Sequence, residues 1–253
     1  MNAHIAIFGL LLLAGCATAP QPAVTGSDTD AQSRNMVMVG SDPLQGRSAY
    51  QPSIHRQGDR WIAYIGHHGG RVLNPLTGIE EANGTSIVDV SDPARPRYLH
   101  HIPGQPGNGE TGGAQMTRLC DGRSLPRGDP QKVYLLRTFG QEAHEIWDVT
   151  TPEQPTLLTR ITGLRDTHKS WWECETGVAY LVSGVPGWRA KRMTRIMDLG
   201  DPTHPVFIRD FGLPGQEPGS SGPLPPDLHG PISLGAGRNR VYFAYGPDSN
   251  GVL

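Results

Sequence analysis

The stretch Ile87-Val-Asp-Val-Ser-Asp-Pro-Ala-Arg-Pro-Arg-Tyr-Leu99 is the first of three related copies in this 253-residue chain. The second copy is Ile146-Trp-Asp-Val-Thr-Thr-Pro-Glu-Gln-Pro-Thr-Leu-Leu158, and the third is Ile196-Met-Asp-Leu-Gly-Asp-Pro-Thr-His-Pro-Val-Phe-Ile208. The repeated aspartates fall at positions 89, 148 and 198, so the steps are 59 and 50 residues. A repeat of this length indicates a solenoid or a propeller.

Each copy predicts a unit of four antiparallel strands. The Ile-x-Asp segment is one strand, the Pro-x-x-Pro segment is a turn, and a mixed polar and apolar strand follows as an exposed edge. A short apolar run before each copy predicts a buried strand, and these runs span 61–65, 133–136 and 178–182, with a fourth at 241–245. No long segment has a helical apolar stripe. We therefore predict an all-β fold, a β-propeller of four-stranded antiparallel blades.

The turn within each copy has a predicted hydrogen bond. Proline presets φ at the second turn position, and the residue before it can accept the N–H two residues on. Asp92, Thr151 and Asp201 hold this place.

The repeated motif closely resembles the LVIVD repeat family of bacterial surface and exported β-propellers. The resemblance covers about residues 50 to 253, and it implies a propeller while implying little about chemistry. About three and a half blades are present, because Gly251-Val-Leu253 begins what would be the next copy. We expect a fragment that forms an open arc, and the alternative is closure by a partner chain.

The N-terminus predicts a lipoprotein signal. Residues 5–13 form an apolar run that suits a signal-peptide core and is too short for a membrane span. The run ends in Leu13-Ala14-Gly15-Cys16, which resembles the bacterial lipobox, so residues 1–16 are the predicted signal and Cys16 the lipidation site. Residues 17–34 form the predicted flexible tether, and residues 35–253 the partial propeller. Ala17 resembles the outer-membrane sorting pattern, and we predict an exported protein anchored in the cell envelope.

Composition limits the classes of binding partner that we expect for the mature protein. The net charge is -2 and charged residues make up 18% of the chain, which gives no broad attraction for nucleic acid. The partners that we expect are the membrane, through the lipid anchor, and an envelope protein or small-molecule ligand. Cys120 and Cys174 could form one disulfide in an exported protein, and the alternative that the sequence favours is two buried thiols.

Four polar side chains occupy similar positions before the buried strands of the repeats: His55, Gln115, His168 and His229. Equivalent positions of a propeller surround its central channel, so we expect these side chains to lie at one channel mouth. The histidines, together with His68, are candidate ligands of a transition metal. The alternatives are structural hydrogen bonds, with Asp166 and Asp227 two residues before His168 and His229, and direct contact with a ligand.

Further candidates for ligand contact are Gln115, His144, Asp166, Asp227 and Trp188. The leading functional hypothesis is a lipid-anchored envelope scaffold that binds a ligand or a protein. The alternative is a metal-dependent oxidoreductase or lyase with His ligands, and a third hypothesis is a purely structural role. The sequence contains no Gly-x-Ser-x-Gly elbow, P-loop or His-Glu-x-x-His motif.

Overall fold

Antiparallel β-sheet makes up the regular structure of residues 35–246, the part of the chain that this computed structural model describes. Within that range the helical segments are short 3₁₀ turns. None of the helices in residues 35–246 has the length and apolar character that crossing a membrane requires. The chain divides into residues 1–37 and a unit that begins at Met38, and every strand found within residues 35–246 belongs to the second. The predicted signal with Cys16, the tether and Gly251–Leu253 lie outside the described residues.

The strands form three large antiparallel sheets and two hairpins. The first sheet has the order β1-β2-β5-β6, with strands Tyr50–Gln57, Arg60–Gly69, Thr85–Asp89 and Arg97–Ile102. β3 (Arg71–Asn74) and β4 (Ile79–Ala82) form a hairpin, and β7 (Gly109–Ala114) pairs with the end of β2. The second sheet has the order β8-β9-β10-β11, with strands Thr117–Asp121, Val133–Phe139, Ala143–Asp148 and Thr156–Ile161. The third has the order β12-β13-β14-β15, with strands Trp171–Trp172, Val178–Ser183, Met193–Asp198 and Val206–Phe211, and β16 (Leu228–Ser233) pairs with β17 (Val241–Tyr245).

The four-stranded antiparallel organisation predicted from the repeats is confirmed. Each Ile-x-Asp segment lies in a strand between a buried strand and an edge strand, in β5, β10 and β14. The β3–β4 hairpin and β7 were not predicted, because no copy of the motif marks them.

The motif aspartates hold the turns that follow them. The carboxylates of Asp89, Asp148 and Asp198 each accept the backbone N–H two residues on, at 3.0, 3.0 and 2.7 Å. Each also pairs with a basic side chain, as Asp148 does with Lys132 at 3.1 Å. These aspartates are therefore part of the scaffold.

The predicted side-chain bond of the proline turn forms in two copies. Asp92 and Asp201 accept the N–H two residues on, at 3.1 and 2.9 Å. The Thr151 turn is closed instead by the backbone bond from Gln154 N–H to its carbonyl, at 2.9 Å. The first and third turns have the same backbone bond, so the turn forms without the side chain.

The apolar core lies between successive sheets. Ile62, Tyr64 and Ile87 of the first sheet pack with Val133 and Leu135 of the second. A larger cluster joins the second and third sheets, and a smaller one joins the third sheet to the β16–β17 hairpin. Each sheet therefore buries its faces against its neighbours.

Cys120 and Cys174 form a disulfide, so the favoured prediction of two buried thiols was wrong. Their Cα atoms lie 5.5 Å apart, and the two cysteines are 54 positions apart in sequence. Cys120 lies in β8 and Cys174 directly follows β12, so the bond crosses from the second sheet to the third. The pair meets because the two residues take similar places in adjacent repeats.

Candidate functional site

Strand pairing defines which residues of the repeats are equivalent. Ile87, Ile146 and Ile196 of the motif lie opposite Tyr64, Leu136 and Tyr180 on the buried strands. Those residues in turn lie opposite Ser53, Arg118 and Trp171 on the innermost strands. Three residues earlier in the chain stand Tyr50, Gln115 and His168. The predicted equivalence of Gln115 and His168 is thus confirmed, and the first repeat contributes Tyr50.

The placement of His55 with these residues was wrong. His55 lies five residues beyond Tyr50 in β1, a distance of roughly 16 Å along a strand. Its Nε2 lies 3.2 Å from a carboxylate oxygen of Asp121, which gives it a structural partner. Its position before the buried strand was misleading because the hairpins between the inner and buried strands differ in length.

A group of basic and aromatic side chains from the first sheet, the third sheet and the β16–β17 hairpin lies together. We call it the basic cluster, and its members are Tyr50, His68, His168, Lys169, Arg192 and His229. The rings of His168 and His229 meet edge to face with centroids 5.1 Å apart, and those of Tyr50 and His68 lie 4.5 Å apart. Lys169 joins the two pairs, with Nζ 2.6 Å from Nε2 of His229 and 5.5 Å from the Tyr50 ring centroid.

Two histidines of the cluster, His168 and His229, are held in the neutral form. An ammonium group only donates hydrogen bonds, so Nε2 of His229 accepts from Lys169 and its imidazole is uncharged. His168 is 2% exposed, and burial followed by the charges of Arg192 and Lys169 lowers its pKa to about 3. The positive charge at the cluster therefore comes from Lys169 and Arg192.

Arg192 is buried with its guanidinium only partly bonded. The residue is 7% exposed, and its Nε donates to the Asp166 carbonyl at 3.1 Å. The nearest carboxylate oxygen, Oε2 of Glu110, lies 3.9 Å from Nη2, which is beyond hydrogen-bond distance. No residue between 35 and 246 accepts a hydrogen bond from either Nη atom. Arg192 lines a cleft of about 400 Å³, together with Glu110, Lys191, Asp227, Leu228 and His229 among others.

Asp166 and Asp227 position Arg192. One carboxylate oxygen of Asp227 accepts the backbone N–H groups of Lys191 and Arg192, at 2.9 and 3.2 Å. Asp166 has φ of 50°, a left-handed conformation that aspartate tolerates better than most residues, and its carbonyl accepts from Arg192. Of the two predicted ligand contacts, Asp227 lines the cleft and Asp166 acts through the backbone.

Gln115 supports Glu110 at the other side of the cleft. Its side-chain amide donates to the Glu110 carbonyl at 3.0 Å, and the residue is 3% exposed. Its Oε1 is buried and has no hydrogen-bond partner in the described part of the chain.

His144 and Trp188, two other predicted contact residues, lie away from the cleft lining. His144 is fully buried, and its Nε2 lies 2.9 Å from Oγ of Ser170, which itself donates to the His168 carbonyl. Trp188 packs against the core between the second and third sheets. Both are structural in this arrangement.

The predicted metal ligands do not converge on one point. Among residues 35–246, no group of three or more His, Cys, Asp and Glu side chains is arranged to hold a metal ion. His68 and His229 belong to the basic cluster with His168, while His55 is engaged elsewhere. The geometry therefore offers no support for the metal-dependent alternative.

Four residues of the site were missed by sequence reasoning: Tyr50, Glu110, Lys169 and Arg192. Tyr50 could have been identified from the strand pairing, and Lys169 directly follows His168 in the sequence. Arg192 and Glu110 carry no local signal, because their importance arises from burial and from contacts distant in sequence.

No protein-family model and no curated protein matches this chain. The resemblance to LVIVD propellers stays a prediction.

Proposed function

We propose that this protein is a lipid-anchored β-propeller of the bacterial cell envelope that binds a small ligand at the basic cluster. The main support is that side chains from separate sheets line one cleft. There the buried guanidinium of Arg192 has N–H donors without an acceptor among residues 35–246.

The propeller part of the proposal is supported by repetition. Successive four-stranded antiparallel sheets carry the same motif in the same place, and the core fills the space between neighbouring sheets. Propeller blades have this organisation, and equivalent inner-strand positions then surround a central channel. Tyr50, Gln115 and His168 hold such positions.

The envelope part is supported by two features of different kinds. The lipobox ending at Cys16 is a sequence pattern outside the described residues. The disulfide between Cys120 and Cys174 is typical of oxidising compartments. Lipid labelling of the full chain tests this part, and we expect label on the wild type and none on Cys16→Ala. Wild-type protein that stays unlabelled and cytosolic would contradict it.

The binding part is supported by the cleft. Its volume of about 400 Å³ lies within the range of small-molecule sites, and the polar groups at its wall point to orientation of a ligand. A thermal-shift screen of the full chain in detergent, with organic acids, sugars, amines and phosphate, should find one class that raises the melting temperature. That rise should be absent in Arg192→Gln and present in Arg209→Gln, an exposed arginine of β15. A screen in which no class acts through Arg192 would overturn the proposal.

A further inference from the structure

The charges around Arg192 indicate which chemical class of ligand fits the cleft. We infer that the cleft binds a small organic acid, whose carboxylate is held by Arg192 and attracted by the charge of Lys169, which is bonded to the cleft residue His229. The inference rests on the proposed ligand-binding function and goes beyond it by naming the ligand class.

Arg192 is a buried cation without a close counter-ion. Four of the five guanidinium N–H donors are carried by the Nη atoms, and the only described carboxylate near them stands 3.9 Å away on the exposed Glu110. Burying a charge without a paired partner is unfavourable, so such a group favours binding of an anion. The planar fork of the guanidinium fits the two oxygens of a carboxylate.

Lys169 supplies the second positive charge. Its Nζ is bonded to His229 and lies near the Tyr50 ring, and it forms no ion pair with any carboxylate of residues 35–246. Lys169 and Arg192 both lower the pKa of His168, which lies within reach of their electric fields. An anion at the cluster would therefore interact favourably with two cations and with neutral imidazoles that do not repel it.

The acidic groups nearby favour a carboxylate over phosphate. Glu110 and Asp227 line the cleft, and Asp166 lies behind Arg192, with its carboxylate 3.9 Å from Lys191 Nζ. These three negative charges match the positive charges of Lys169, Lys191 and Arg192. A dianion would be repelled by the carboxylates at short range, whereas a single carboxylate would add one negative charge opposite the unused donors.

Glu110 has a definite role in this scheme. It is the residue closest to neutralising Arg192, and at 56% side-chain exposure it can move. A ligand carboxylate would compete with it for the same guanidinium. Removing the Glu110 charge should therefore strengthen binding of an organic acid.

The experiment is calorimetric titration of the full chain in detergent with the monocarboxylates acetate, butyrate and benzoate, compared with phosphate and glucose. We expect at least one acid to bind more tightly than phosphate. Arg192→Gln should lower the affinity for that acid about tenfold or more, and Lys169→Gln should lower it about threefold to tenfold. Glu110→Gln should strengthen it, and Arg209→Gln should leave it unchanged. Circular dichroism confirms folding, and Lys169→Gln keeps the test decisive if Arg192→Gln unfolds.

The outcomes separate this inference from the proposed function. Binding of glucose or phosphate in preference to every acid would overturn the carboxylate assignment and leave a ligand-binding protein. Acid binding that is indifferent to both Arg192→Gln and Lys169→Gln would overturn the assignment to this cluster. If none of the probes binds and the wider screen is also negative, both proposals fail.

Discussion

Two buried arginines of this protein have opposite surroundings. Arg137 in β9 is 0% exposed, and all three of its nitrogens donate hydrogen bonds, to Glu145, Thr85 and the carbonyls of Ile102 and Pro103. Arg192 is also buried, yet among its three guanidinium nitrogens only Nε donates a hydrogen bond to any of residues 35–246. The hydrogen-bond donors of Arg137 are thus used within the protein, whereas the Nη donors of Arg192 are available to a ligand.

Burial alone does not distinguish a structural arginine from one that belongs to a binding site. The hydrogen-bond partners of its guanidinium do. Glu145, the partner of Arg137, also accepts from Arg160 and Trp147, so one carboxylate is shared by two arginines within the protein. At the basic cluster, the Asp227 carboxylate accepts backbone N–H groups and the Asp166 carbonyl accepts from Arg192 Nε, so both hold Arg192 in place without a carboxylate at close range to its guanidinium. Predictions follow for both regions.

The largest effect is expected in the Arg137 network. Glu145→Gln removes the carboxylate and leaves two arginines uncompensated, one of them fully buried. We expect the free energy of unfolding to fall by about 3–5 kcal/mol, measured by urea titration. Glu175→Gln, an exposed change in the third sheet, is the control and should have almost no effect. A loss equal to that of the control would show that the network is not structural.

The disulfide joins the sheet that carries Arg137 to the sheet that carries Arg192. Replacing both Cys120 and Cys174 with serine should reduce the free energy of unfolding by about 2–4 kcal/mol. Reductant should destabilise the wild type and leave the double variant unchanged. A double variant as stable as the oxidised wild type would contradict a bracing role for the bond.

Buried histidines should make the protein sensitive to acid. Burial lowers the pKa of both His144 and His168 to about 3 in the folded protein, against about 6.5 when unfolded. As pH falls from 6.5 towards 3, the unfolded chain takes up protons that the native state refuses, so stability decreases. Each histidine should lower the free energy of unfolding by about 2 kcal/mol between pH 7 and pH 5.

His144→Gln should remove its share of this pH dependence, because the partner bond to Ser170 does not require a titrating group. His204→Gln, on an exposed turn, is the matched control and should keep the wild-type slope. A slope that is the same in all three proteins would show that His144 is accessible to protons in the native state.

The sequence predicted the strands and the turns well because their signals are local. The Ile-x-Asp segments, the proline turns and the edge strands each depend on neighbouring residues, and each was found where expected. The site was predicted only in part. His168, His229 and Asp227 were identified from spacing, while Arg192 and Glu110 acquire their role from strands that lie far apart in sequence.

His55 and the cysteines show the same limit. His55 satisfied a count along the chain, yet a different hairpin length placed it near Asp121 instead of the basic cluster. The cysteine pair required knowledge of which sheets are adjacent, which the repeat alone leaves open. Distances across sheets, more than residue types, were the missing information.

The central claim is that Arg192 is held for a ligand and not for the fold. The direct test is the free energy of unfolding of Arg192→Met, measured without added ligand beside Glu145→Gln. Since Arg192 has few internal partners, we expect a change of less than about 0.5 kcal/mol, or a gain in stability. A loss as large as that of Glu145→Gln would contradict the claim and make Arg192 a structural residue like Arg137.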